Sequence, residues 1–320
     1  MTFRMLFVWR QSLRLLGAWM LWSALPTVAQ NLPDIFSSVP RVPLAVKVQA
    51  EFPEMTFLEN LVVTGKDIVF TSHEDGKVHR LSPGQPPRLL AVVPGKVTGI
   101  ALAAHGGFVL TGFHPSGLAV VHHVDKRGMV LSTTAIKGAV FLNGIERIGP
   151  DRYLIADSYK GVLWRYDAVA RQATVWLDSP LLQRADERNP VPAANGVRLH
   201  GREVLVSNTA KMLLLRVPLR PDGGAGDATV WKEKLNIDDF AVAKDGTVWG
   251  ATHIYNSLVR IDPQGSVSVV AEDSQGLAGS TSAALSGDGK TLFVTTNGGM
   301  FLPPPQGVQK ARLLAVSVRP

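Results

Sequence analysis

Six residues that carry a side-chain oxygen head six similar stretches of this chain: Glu59, Thr98, Asn143, Asn195, Asp239 and Thr281. Strand interiors disfavour Asn and Asp, and random surface positions would often supply Lys, Ala or Val, so the set asks for a common cause. If the six converge on one axis, two carboxylates and two amide oxygens offer hard ligands with two negative charges. Such a set suits Ca2+ or Mg2+ and adapts to Mn2+ or Zn2+. Without an ion the two acids would repel each other in a confined mouth. The plainer alternative is that Asn-Gly and Asp-Asp begin strands as turn residues. Asp238 directly precedes Asp239, and alternation along a strand turns one of them away from the axis; register with Asn195 selects Asp239.

A hairpin returns the end of its second strand beside the start of its first. Counting 13 or 14 residues from each opening position reaches Ser72 or His73, Thr111, Asp157, Asn208, Thr252 or His253, and Thr295, which would form an outer polar wall. His73 and His253 are candidate general bases or substrate donors, because imidazole titrates near neutrality. The alternative for either is a solvated loop histidine.

The elements that would position these residues come from a repeat. One pattern recurs six times: a short apolar strand, a Gly/Asp turn, a second apolar strand, a polar bend and a third strand. The copies begin ENLVVTGKDIVFTS at Glu59, TGIALAAHGGFVLTG at Thr98, NGIERIGPDRYLIAD at Asn143, NGVRLHGREVLVSN at Asn195, DFAVAKDGTVWGAT at Asp239 and TSAALSGDGKTLFVTT at Thr281. Their starts lie 39, 45, 52, 44 and 42 residues apart. Lys244-Asp245-Gly246 and Gly287-Asp288-Gly289 suit hairpin positions that need positive φ. A small sheet cannot bury both faces alone, and about four to eight such blades pack radially around a channel. Six copies predict an all-β, six-bladed β-propeller over residues 53–320. A sandwich or solenoid has no reason to repeat this triplet of strands at such a period. The last strand, 313–318, is expected to pair with chain before Glu59 and close the ring.

At 320 residues, 46% of them hydrophobic, the chain can bury a large core. Arg4, Arg10 and Arg14, an apolar run from Leu15 to Leu25, and Thr27 and Ala29 placed before a cut predict a signal peptide over residues 1–29. The apolar run is shorter than the roughly 20 residues that span a bilayer, which disfavours an uncleaved anchor. The mature chain is expected in the periplasm or secreted, with no membrane anchor after cleavage, as a monomer. Cleavage removes three arginines and no acid, taking the formal charge from +7 to +4. The remaining basic residues are dispersed, which argues against nucleic acid as a partner. There is no cysteine, so disulfides, thiolate metal sites and a cysteine nucleophile are excluded. Residues 30–52, with Pro33, Pro40 and Pro43, read as a lead-in segment.

From FLENLVV at Phe57 to TLFVTTNGG ending at Gly299, with ENL, AANGV, DDFAV, GSTSAA and VTTNGG in order, the chain resembles the SMP-30/gluconolactonase/luciferin-regenerating-enzyme (regucalcin) family. The likeness is to that family's secreted, uncharacterised branch. The resemblance implies a divalent metal held by Glu59, by Asn195 in the PNG-like motif, by Asp239 in the PDG-like motif and by Asn143 as a further Asn. It also implies a lactone or related ester as small-molecule substrate, opened by metal-activated water, with Asp239 as both ligand and proton acceptor. Ca2+ is the expected ion, with Mn2+, Mg2+ or Zn2+ as alternatives. The chain departs from the sugar-lactone enzymes at Phe141, where they usually carry Arg, and at Phe240, which replaces their PDG glycine. Both changes make the mouth more apolar. The competing expectations are a non-catalytic propeller with a structural ion that binds a small ligand or protein, and a strictosidine-synthase-like condensation, for which no acidic base can be placed.

Overall fold

In the computed structural model, which describes residues 32–318, the chain forms six four-stranded antiparallel sheets arranged as a six-bladed β-propeller. The expected signal segment lies outside the described residues, and no α-helix occurs among them. Blades one to six begin on inner strands Leu58–Thr64, Lys96–Leu102, Leu142–Arg147, Ala194–His200, Phe240–Val242 and Ser280–Leu285. The tripeptides Ile68-Val69-Phe70, Phe108-Val109-Leu110 and Val204-Leu205-Val206 in second strands are wholly buried. A strand covered by neighbours on both faces needs apolar side chains on both, so these strands read as continuous runs without alternation. Packing confirms the cause: each of six apolar clusters draws on two adjacent blades. One joins Val109 and Val121 of blade two to Tyr153, Ile155 and Trp164 of blade three, and another joins Ala311 and Leu313 to Leu61 and Phe70.

The ring closes as expected, at the sixth blade. Ala311–Ser317 pairs antiparallel with Val46–Phe52, so the lead-in segment supplies the outermost strand of the blade that the C-terminal strand extends. Just before it, the Val42 and Leu44 N–H groups donate to Val269 and Val270 on the outer strand of blade five. The lead-in therefore straps two blades together. Gly246 and Gly289 have φ of 91° and 70°, as their hairpin positions require.

Five inner strands carry a register shift at the mouth end, where two residues oppose one on the second strand. The fifth blade does the same: Asp238 N–H donates to Ala251 C=O, and Ala251 N–H donates to Asp239 C=O. These bulges bring the inner strands close together. A Cβ on Gly99 would stand 2.5 Å from the Asn143 carbonyl, and one on Gly196 would run into the Asp239 carboxylate, which explains Thr-Gly and Asn-Gly at these positions. Hydrogen bonds then link every blade to the next. Thr71 Oγ1 donates to Thr98 C=O (3.1 Å), Thr111 Oγ1 to Asn143 C=O (2.6 Å), Ser158 Oγ to Ala194 C=O (2.6 Å) and Ser207 Oγ to Asp238 C=O (2.8 Å). Thr252 N–H donates to Ser280 Oγ (3.1 Å), and Thr281 Oγ1 to Leu58 C=O (2.7 Å) completes the circle.

A candidate metal-binding mouth

The bulges set the register of the mouth. Their first residues are Glu59, Thr98, Asn143, Asn195, Asp238 and Thr281; their second are Asn60, Gly99, Gly144, Gly196, Asp239 and Ser282. Asp239, expected beside Asn195, is therefore displaced by Asp238, and the residue after the ring position is Asp239 instead of Phe240. The physical reason is the bulge itself, which adds a residue before the apolar Phe240 that aligns with Val197.

Asp238 is 5% exposed. Its Oδ1 accepts a short hydrogen bond from Asn195 Nδ2, and its Oδ2 lies 3.1 Å from His253 Nδ1. Asn195 Nδ2 also donates to Thr209 Oγ1 (3.1 Å), and Asn143 Nδ2 donates to Ser158 Oγ (3.2 Å). Both amides thus spend their nitrogens on the wall, which leaves their oxygens for the mouth. Glu59 is 8% exposed, and its Oε2 is buried without a hydrogen-bond partner. Burial pushes its carboxyl well above the usual range, and the charges of Asp238 and Asp239 push the same way.

The histidines part company. His253 has φ of 41° and lies between Asp238 and Asn297, whose Nδ2 is 2.7 Å from Nε2. Gly299 N–H donates to Asn297 Oδ1 (3.0 Å), so the amide presents its donor to His253; Nε2 accepts, and Nδ1 carries the proton given to Asp238. His73 is buried, keeps Nδ1 on the Val97 carbonyl (2.9 Å) and packs its ring on Phe57. Burial lowers its pKa. Its side chain meets Val97, Glu74 and Phe57, none of which belongs to the ring.

The wall keeps the expected His73 and His253, takes Ser158 and Thr209 one residue beyond the expected Asp157 and Asn208, and takes Phe113 and Asn297 two residues beyond Thr111 and Thr295. Asp157 instead ties down the loop before blade three through Val140 N–H and Phe141 N–H (2.9 Å each), and Asn208 Nδ2 donates to Leu181 C=O (2.8 Å). Thr111 and Thr295 face the bulges and bond to Thr98 and Thr281 at 3.0 Å each. Thr98 and Thr281 are accordingly part of the blade-to-blade circle.

Asp239 points down the channel. Its Oδ2 receives Arg198 Nη2 (2.6 Å), Asn60 Nδ2 (2.9 Å) and Ser282 Oγ (2.9 Å), and its Oδ1 receives its own Phe240 N–H (2.8 Å). Below it lies a cavity of about 370 Å3 lined by Val62, Ala101, Glu146, Arg198, Ala241 and Ala284. Desolvation raises the Glu146 carboxyl to about 7, against the attraction of Arg198. Asn60, Arg198 and Glu146 were not anticipated, and nothing local in the sequence pairs them with Asp239.

Among the described residues no three His, Cys, Asp or Glu side chains form a metal cluster by themselves. The mouth instead combines two acids with two amides, and the orphaned Glu59 oxygen beside Asp238 lacks a cationic partner. That donor set fits a hard divalent cation held by Glu59, Asn143, Asn195 and Asp238.

No family model matches the sequence, and no curated protein matches it. Solved structures do. A luciferin-regenerating enzyme superposes with a TM-score of 0.63 at 14% identity, over 86% of this chain and 95% of its own. A gluconolactonase from Xanthomonas campestris gives 0.62 at 14%, over 87% and 97%. Regucalcin from Agrobacterium tumefaciens, a calcium-binding protein, gives 0.63 at 15%, over 88% and 97%. At such identities the likeness speaks for architecture: the chain has the six-bladed propeller that gluconolactonase, regucalcin and luciferin-regenerating enzyme share.

Proposed function

We propose that this chain is an exported, metal-dependent hydrolase of the SMP-30/gluconolactonase type that opens a lactone or related ester in the periplasm or outside the cell. The observation that carries the reading is the buried Glu59 carboxyl, whose Oε2 has no hydrogen-bond partner, set near Asp238 in a ring completed by the Asn143 and Asn195 amides. Export rests on the N-terminal arginines, the apolar run and the small residues before position 30. Ca2+ is the expected ion.

A divalent ion bound there supplies Lewis acidity, polarising a carbonyl and lowering the pKa of water. The chain does the rest. His253 Nδ1–H and Asn195 Nδ2–H hold the Asp238 carboxylate in place from two sides, and Ser158 and Thr209 fix the rotations of the two asparagines. Asp238 is the mouth carboxylate positioned to take up a proton. Asp239 is the poorer candidate, because its Oδ2 takes three donors, the Arg198 guanidinium among them, where each oxygen of Asp238 takes one. His253 orients Asp238 and is not a free base, since Asn297 takes its second nitrogen.

The test is metal content and calorimetry on purified protein, followed by a lactone and aryl-ester panel with Ca2+, Mn2+ or Zn2+. Turnover abolished by Asp238→Ala supports the proposal. Absence of turnover, with chelation lowering the melting temperature, points instead to a structural ion in a binding propeller. If no divalent ion binds, the reading of the ring is wrong.

A further inference from the structure

Two aromatic groups border the mouth. Phe113 ends the second strand of blade two, Phe141 precedes the inner strand of blade three, and Tyr159 follows that blade's second strand; Phe141 lies 4.8 Å from Phe113 and 4.9 Å from Tyr159 between ring centroids. The other group spans blades five, six and one: Phe57 of blade one meets Phe301 after blade six's second strand (5.3 Å) and His253 of blade five (6.0 Å). Starts of inner strands and ends of second strands share one face, so both groups border the opening where Glu59 and Asp238 sit. Phe57, Phe113, Phe141, Tyr159 and Phe301 are all only partly buried.

The polar groups beside them are already committed. Thr98, Thr281, Ser158 and Thr209 donate their hydroxyls to backbone carbonyls, Tyr159 donates to Pro190 C=O (2.9 Å), and both His253 nitrogens are engaged. A polyhydroxylated ligand would have to desolvate hydroxyls that find few partners here, which is costly. An apolar arm would exchange water for aromatic faces.

We infer that the substrate class of this mouth is a lactone or ester of low polarity bearing an aryl or alkyl arm, in preference to a sugar-acid lactone. The inference rests on the hydrolase reading of the same site. Three compounds that share the six-membered lactone ring separate the two: δ-valerolactone, its phenyl-substituted form and glucono-δ-lactone, assayed with full-length protein and Ca2+ or Mn2+. The corresponding unhydrolysed lactams are titrated in parallel by calorimetry.

The phenyl lactone should exceed glucono-δ-lactone in kcat/KM by tenfold or more, roughly the worth of one aromatic contact. Phe141→Ala and the milder Phe141→Leu should erode that margin through KM. Equal or faster turnover of glucono-δ-lactone overturns the inference and leaves the hydrolase reading standing. A phenyl lactam that binds tenfold tighter than the hydroxylated one, without turnover of any lactone, refutes hydrolysis and retains the ligand class. Equal binding of the lactams, or none, overturns it too, and these wild-type comparisons do not depend on any variant folding.

Discussion

The two adjacent aspartates should fail in opposite ways when each is changed to asparagine. Asp239 is the counter-ion of Arg198 at 2.6 Å, with the two side chains 5% and 16% exposed. Asp239→Asn takes from that guanidinium its hydrogen-bonded charge partner and leaves Glu146 as the remaining nearby carboxyl, a loss of up to about 3–5 kcal/mol. With an unfolding entropy of roughly 2 cal/mol/K per residue, a propeller of this size should melt about 5–8 °C lower. Asp238→Asn removes a carboxylate that repels Glu59, and this relief offsets much of a weakened hydrogen bond of about 1 kcal/mol. The ion-free protein should therefore lose little stability. Its affinity for Ca2+ should collapse, because half of the mouth's formal negative charge is gone. Urea unfolding in chelator measures the first quantity and calorimetry with Ca2+ the second. Should Asp239→Asn unfold like the parent yet fail to bind Ca2+, while Asp238→Asn binds normally, the register assigned from the bulges is refuted.

Glu146 should make stability fall with pH. Its folded carboxyl titrates near 7, above its ordinary value of 4.5, so its contribution is complete below about 4.5 and is lost as pH rises through 7. In a Glu59→Gln background, which removes the other raised carboxyl, Glu146→Gln should flatten the pH dependence of the urea-unfolding free energy between pH 5 and 8 by at most about 3 kcal/mol, less where channel water screens it. A profile unchanged by the substitution contradicts this. His253→Ala should weaken Ca2+ binding by about 10–100-fold through loss of the hydrogen bond that orients Asp238, with a far-UV spectrum like the parent's; unchanged calorimetric affinity contradicts it. Gly196→Ala should cost about 1–3 kcal/mol in urea, since the added methyl meets the Asp239 carboxylate and backbone, and a neutral result would mean that the bulge can open.

The propeller was legible because each blade restates the same burial problem. Second strands such as Tyr153-Leu154-Ile155-Ala156 are apolar on both faces, and that pattern survives without knowledge of partners. The mouth was legible in composition and wrong by one residue in one blade. In five copies the first buried apolar position, Leu61, Ile100, Ile145, Val197 or Ala283, stands two after the ring residue, and the same count back from Phe240 reaches Asp238. Aligning on the apolar residue, which the core constrains, would have placed the acid correctly. Arg198, Asn60 and Glu146 meet Asp239 from three other blades, so no local spacing could announce them. The aromatic border was half visible at Phe141; Phe113, Tyr159 and Phe301 join it through strand ends that propensity does not locate to the residue.

The closing strand pair also dictates an order of events during synthesis. Val46–Phe52 leaves the ribosome among the first segments of the propeller, yet its partner Ala311–Ser317 is among the last. Four-stranded sheets one to five each consist of consecutive chain and can assemble as they emerge, whereas the sixth must wait with one face of each neighbour uncovered. Pairing across such a separation is slow and exposes edges to other chains in the interval. A transcript shortened by even its final strand would thus yield an open ring with two unsealed ends, not a slightly smaller propeller. The strap at Val42 and Leu44 holds the waiting strand against blade five, where the last residues must find it.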